Sequence, residues 1–241
     1  MESSQKYKVL CFSFAGGNQY SFNAFKKIAP DNITFITTDY PGRGARIGER
    51  LLWEVNDLVE DMYQQINNEI DSPYIIYGHS MGGLISYLMV LLLRSKGKRL
   101  PESLFITGCR APSTWDKMKR LKNLNYEEFI MELKMLGGIP HEILNDKDSM
   151  LFFEPILRAD FSIVATNEYK KVEPLSVPIK IITGTEEDIS QEDALKWQEE
   201  TTFPLSYNRL EGGHFFIFDH PEKIIKEMDE CFQNVNKISL I

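Results

Sequence analysis

Apolar runs alternate with amphipathic stretches along most of the chain. Tyr7-Lys-Val-Leu-Cys-Phe-Ser-Phe14 predicts a buried strand that Ala15-Gly16-Gly17 breaks, and Asn23 to Ala29 suits a short helix. Ile33 to Thr38 is β-branched and strand-like, and ends at the loop Asp39-Tyr-Pro-Gly-Arg-Gly44. Between Trp53 and Ile70 the apolar residues Val55, Leu58, Val59, Met62, Ile66 and Ile70 fall on one helical face. Tyr74 to Tyr77 predicts a short apolar strand, Met81 to Arg94 a mostly buried helix, and Ser103 to Thr107 another strand. Strands alternating with helices predict an α/β fold with a mostly parallel central sheet flanked by helices.

The pattern changes after this. From about Arg110 to Tyr169 only helical segments are predicted, over Tyr126–Leu136, Asp146–Leu157 and Ala159–Tyr169. Alternation resumes with a strand at Pro178–Thr183, a helix near Glu192–Glu199, a strand near Leu205–Leu210 and a helix from Pro221 to about Asn234. Residues 110–170 therefore read as a helical lid inserted into a single domain covering 1–241, a length that one α/β domain can fill. The lid's Met118, Met131, Met135, Met150, Phe152 and Phe153 offer either an adaptable lining for an acyl site or packing of the lid onto the body.

Composition narrows the function classes. Hydrophobic residues make up 43%, enough for a full core. With 35 acidic against 27 basic side chains the net charge is −8, which disfavours nucleic-acid binding. One local exception is the cluster Lys117, Lys119, Arg120 and Lys122, a candidate docking patch for an acidic partner or simply a solvated helix face. The longest apolar stretch, Leu88 to Leu93, stops at Arg94, far short of the ~18 residues that span a bilayer, so no membrane partner is expected. Met1 to Lys6 lacks the pattern of a secretory leader. Cys11, Cys109 and Cys231 are widely spaced and form no C-x-x-C, so neither a disulfide framework nor a thiolate metal site is expected, and a reducing cytoplasm fits.

The chemistry-bearing signal is Gly78-His-Ser-Met-Gly-Gly83, which follows a strand and precedes a helix. A nucleophilic serine needs a tight turn that lifts its Oγ above the sheet, and the glycines make room for that turn. A serine at a helix start also serves as an N-cap, but that role leaves the surrounding glycines without a reason. Serine requires a base to take its proton. His79 lies inside the turn and should point away from Ser80; His141 is in the lid and His220 at a helix start. His214, after Glu211-Gly-Gly213 and a late strand, holds the place of the base in the chain order Ser…acid…His. The acid falls in Gly184-Thr-Glu-Glu-Asp188, where Glu187 and Asp188 stand as equal candidates ahead of Glu186. The oxyanion of an acyl-transfer transition state needs N–H donors. Met81 supplies one. Ala15 is the choice for the other, with Phe14 and Gly16 as alternatives.

Phe12-Ser-Phe-Ala-Gly-Gly17, Asp39-Tyr-Pro-Gly-Arg-Gly44, Gly78-His-Ser-Met-Gly-Gly83 and Gly212-Gly-His-Phe215 resemble the type II thioesterases of nonribosomal peptide and polyketide synthesis. Leu136-Gly-Gly-Ile-Pro140 and Leu157-Arg-Ala-Asp160 extend the resemblance into the lid. The resemblance implies an α/β-hydrolase fold and an editing enzyme that strips acyl or aminoacyl groups from the phosphopantetheine arm of carrier domains. It implies Ser80 as nucleophile, His214 as base, and Met81 and Ala15 as oxyanion donors. Acyl transfer of this kind needs no cofactor or metal, and a monomer is expected. The family usually places aspartate three residues after the glycine, where this chain has Glu187. Two rival readings are a general carboxylesterase or lipase, and a catalytically silent binding protein of the same fold.

Overall fold

The computed structural model describes residues 6–121, 123–139 and 141–238. Strands β1 (Tyr7–Phe12), β2 (Ile33–Thr37), β3 (Tyr74–His79), β4 (Ser103–Thr107), β5 (Ile179–Gly184) and β6 (Ser206–Leu210) form one parallel sheet in the order β2-β1-β3-β4-β5-β6. The α-helices are α1 (Asn23–Ile28), α2 (Val55–Ile66), α3 (Met81–Ser95), α4 (Tyr126–Leu136), α5 (His141–Asn145), α6 (Lys147–Thr166), α7 (Gln191–Leu195) and α8 (Pro221–Ile238). The central strands are buried on both faces, which explains apolar runs such as Val9–Phe12 and Tyr74–Tyr77.

Each face has its own core. On one, α2 presents Val55, Leu58, Val59, Met62, Tyr63 and Ile66 as a single buried stripe against α3 and the sheet. On the other, Phe22 and Phe25 near α1 join Ile224, Ile225, Met228 and Phe232 of α8. A third, smaller cluster holds α4, α5 and α6 together through Phe129, Leu133, Leu144, Leu157 and Phe161. These helices follow a 3₁₀ run, Pro112–Leu121, so the whole helical insertion lies between β4 and β5.

Local chemistry sets the boundaries. Asn125 and Glu128 close a reciprocal capping box at the start of α4, and Asp146 caps α6 by accepting the Ser149 N–H at 2.8 Å. The sequence pattern predicts two helices where α6 is continuous. The break expected at Arg158 does not occur, because Arg158 is fastened to Glu154 one turn back at 2.7 Å and lies over the Phe129 ring at 4.4 Å. Pro155 is accommodated inside the same helix; the carbonyl its missing N–H leaves free belongs to the exposed Leu151.

The chain builds β2 on one side of β1 and β3 on the other, so the strand order reverses between β1 and β3. Loops leaving their carboxyl ends diverge there and open the crevice where open α/β sheets bind ligands. The loop after β1 and the turn after β3 are the two segments that the sequence motifs single out.

Candidate active site

Ser80 joins β3 directly to α3 and sits at φ +56° and ψ −120°. That conformation is costly for any residue with a Cβ, about 1–3 kcal/mol, and survives only where its surroundings enforce it. Here a Cβ on Gly78 would run into the Gly82 backbone and the Ser86 hydroxyl, and one on Gly82 into the Phe12 carbonyl. The turn closes with Ser80 N–H donating to Thr107 O at 2.9 Å and Gly83 N–H to Ser80 O at 2.8 Å.

The Ser80 hydroxyl donates to Nε2 of His214 at 2.8 Å, and Nδ1–H of His214 donates to Oε1 of Glu187 at 2.6 Å. The second carboxylate oxygen of Glu187 accepts the Gly184 N–H at 2.5 Å, which fixes the rotation of the carboxylate. The loops bearing Glu187 and His214 are bound to each other: Glu186 N–H donates to Gly212 O at 3.0 Å and Thr185 N–H to Leu210 O at 2.9 Å. Of the two acid candidates, only Glu187 reaches the histidine. Asp188 points outward, with its side chain 95% exposed, and pairs with Arg110 at 2.8 Å. The bond from Gly184 N–H and the two backbone bonds to the neighbouring loop hold Glu187 facing His214.

His79 points away from Ser80 and donates or accepts at Thr107 Oγ1 through Nδ1 at 2.9 Å. Its ring lies 5.0 Å from that of His214. Burial, with His214 alongside, holds His79 well below the ordinary imidazole pKa, so it stays neutral behind the His214 ring. His220 binds the Glu211 carbonyl at the start of α8, 2.8 Å away.

Among the described residues, neither Met81 N–H nor Ala15 N–H donates to another protein group. The alternative donor Gly16 N–H is committed to Asp160 at 2.7 Å. Ala15 and Met81 line the same chamber as Ser80, and both amides are without an internal acceptor.

Ser80 and His214 open into a chamber of about 880 Å³ between the sheet edge and the helical insertion. Phe14, Ala15, Phe215 and Gly213 line it at the Ser80 end, and Trp115, Leu121, Leu133, Met150, Phe161 and Val164 continue the wall through the insertion. Of the lid residues marked in the sequence, Met118, Met135, Met150 and Phe153 line the chamber; Met131 and Phe152 do not, and both are exposed. Cys109 also lines it, but burial pushes its thiol up to about 12, so it offers no competing thiolate.

The cationic cluster looks different in three dimensions. Lys117 is tied to the buried Asp193 at 2.5 Å and Lys119 to Asp116 at 2.7 Å, so neither presents an uncompensated charge. Lys122 and the side chain of Arg120 lie outside the described residues. Sequence reasoning missed Asp160 and Arg43 as partners; each stood in a recognisable motif, but nothing in the sequence brings the two motifs together.

A parallel sheet with a serine, a histidine and a carboxylate hydrogen-bonded in line at its carboxyl edge places the chain in the α/β-hydrolase fold. The thioesterase domain family matches residues 7–231, and the chain belongs to that family. It is 31% identical over 229 residues to the gramicidin S biosynthesis protein GrsT of Aneurinibacillus migulanus, covering 95% of this chain and 90% of the relative. It is 28% identical to the medium-chain S-acyl fatty acid synthase thioesterase of Rattus norvegicus, covering 94% and 88%. Among solved structures, ClbQ from the colibactin NRPS/PKS pathway superposes with a TM-score of 0.87 at 26% identity, covering 97% of this chain and all (100%) of that one. The protein is thus a thioesterase, with relatives in nonribosomal peptide and polyketide biosynthesis. No described helix is long and apolar enough to cross a membrane.

Proposed function

We propose that the protein hydrolyses acyl and aminoacyl thioesters held on the phosphopantetheine arm of carrier domains, restoring the free thiol of misloaded synthases. The observation that carries this reading is the Ser80–His214–Glu187 line opening into an apolar chamber within a thioesterase-family chain. The relatives' names add the biosynthetic setting.

Ser80 attacks the thioester carbonyl while His214 takes its proton. Glu187 holds His214 in the tautomer that accepts at Nε2 and stabilises the imidazolium that forms. Met81 and Ala15 N–H receive the developing oxyanion. The pantetheine thiol, of pKa ~8.5, leaves readily, so proton delivery to it matters less than to an alkoxide. Water activated by His214 then releases the acid from Ser80. Neutral His79 serves the cycle by adding no positive charge beside the imidazolium. The helical insertion, residues 110–170, acts as the lid of a single domain and shields the acyl group. A monomer suffices, because every proposed catalytic group comes from one chain.

The test is a matched panel: the same acyl group on carrier domains, on small pantetheine thioesters and on oxygen esters. Carrier-bound thioesters should give the highest kcat/KM. Equal or greater activity on oxygen esters would favour the carboxylesterase reading instead.

A further inference from the structure

The loop after β1 is pinned along its length. Tyr40 OH donates to Ser13 O at 2.9 Å, Gly17 N–H to Phe14 O at 2.9 Å, and Gln19 N–H to the buried Asp39 at 2.6 Å. Gly16, at φ +78°, is the third residue of the Phe14–Gly17 turn, the signature of a type II turn in which Ala15 is second. Nothing local holds the Gly16 amide. Its acceptor is Asp160, 144 residues away on α6 and fully buried, at 2.7 Å. Arg43 grips the same carboxylate with both ends of its guanidinium, at 2.5 and 2.6 Å, and its own position is fixed over the Tyr40 ring at 5.2 Å. Leu157, one turn earlier on α6, closes against Gly16 so tightly that a Cβ there would lie 2.7 Å from Leu157 Cδ2.

We propose that Asp160 is a positioning residue for the oxyanion hole: clamped by Arg43, it holds the Gly16 amide and so fixes the turn that aims Ala15 N–H at the thioester oxygen. The helical insertion then does more than cover the chamber. Its longest helix supplies the anchor of a catalytic loop, so seating of α6 and competence of the oxyanion hole are one event. The Arg43–Asp160 pair suits this task because a bidentate, buried ion pair fixes direction as well as distance. This rests on the reading of Ala15 as a donor, and the test separates the two claims.

Ala15→Pro deletes the donor while keeping the turn, since proline is favoured at the second position of a type II turn. It should lower kcat by roughly 10²–10³ with KM unchanged, the scale of one lost oxyanion donor. Asp160→Asn keeps the shape and weakens the clamp. It should lower kcat by roughly 10–100-fold, a fraction of that donor effect, again with KM unchanged. An alkylboronic acid, which forms a tetrahedral adduct on the serine, should lose affinity in parallel. In the double variant Asp160→Asn should add nothing, because its route through Ala15 is already gone. Losses that multiply in the double variant, or that appear in KM, would overturn the proposal and make Asp160 a structural residue only. Wild-type kcat in Ala15→Pro would remove Ala15 as donor and the proposal with it. If Asp160→Asn does not fold, Arg43→Lys runs the same cycle: it keeps both charges and loses the two-pronged grip. Its several-fold fall in kcat should vanish beside Ala15→Pro, and persistence of that fall would again overturn the proposal.

Discussion

Replacing Glu187 by glutamine changes one atom and should disable the enzyme. The carboxylate makes two bonds, accepting Nδ1–H of His214 at 2.6 Å through one oxygen and Gly184 N–H at 2.5 Å through the other. A glutamine has one oxygen. The Gly184 amide is a backbone donor and cannot reverse, so the amide oxygen stays there and the NH₂ group faces His214. An NH₂ group donates, which forces Nδ1 to accept and moves the ring proton to Nε2. That nitrogen then can no longer take the proton of Ser80. The same inversion of tautomer in a serine protease triad costs about 10⁴ in kcat, which corresponds to about 5.4 kcal/mol of barrier. Asp188→Asn should stay within about twofold of wild type, because Asp188 is exposed and its ion pair with Arg110 is of the kind worth at most ~1 kcal/mol. The assay is kcat on an acyl-pantetheine thioester with free thiol as readout, alongside thermal unfolding to show that both variants fold. Glu187→Gln within tenfold of wild type, or an Asp188→Asn loss as large as that of Glu187→Gln, would refute the assignment.

Ser80→Gly should abolish turnover, a loss of up to ~10⁶, yet raise denaturant stability by about 1 kcal/mol, since relief of strain at φ +56° outweighs the added chain entropy. Unchanged or lower stability would count against a strained turn. Gly78→Ala should cost about 3 kcal/mol or more, because the new methyl overlaps the Gly82 backbone and the Ser86 hydroxyl; a chemical melt near wild type would contradict the packing described. Folding stability should also fall with pH below about 6.5 through His79. Its folded-state pKa is depressed, so the unfolded chain binds the proton first and stability is lost as pH drops, by up to about 1.4 kcal/mol per pH unit until the folded pKa is reached. His79→Asn should flatten that slope, and an unaltered slope would assign it to other groups.

The parallel sheet was readable because its central strands are buried on both faces, which leaves runs such as Tyr74-Ile-Ile-Tyr77 with no polar interruption. The strained serine turn was readable because the glycines at 78 and 82 leave room for the close backbone approach it needs. Glu187 and Asp188 were not separable from sequence. Their distinction lies in which way a loop faces, and that is decided by backbone bonds to Leu210 and Gly212 from the neighbouring loop. The continuity of α6 through Arg158 was hidden because the Phe129 ring over which Arg158 lies belongs to another helix, 29 residues earlier in the chain. Lys117 looked like part of a free patch because the buried Asp193 that holds it comes 76 residues later. The same distance problem concealed the convergence of Gly16, Arg43 and Asp160, although each of the three motifs was visible alone.

An acyl-enzyme formed from a carrier domain is the most direct mark of the proposed chemistry. An acylated carrier domain would be mixed with the protein, quenched in acid within milliseconds to seconds, and both partners weighed by intact and peptide mass spectrometry. The predicted result is a transient acyl mass on the peptide that contains Ser80, appearing as the carrier loses the same mass and regains its thiol, and absent from Ser80→Ala. Release of free acid from the carrier at an undiminished rate in Ser80→Ala, or acylation at any other residue, would contradict it.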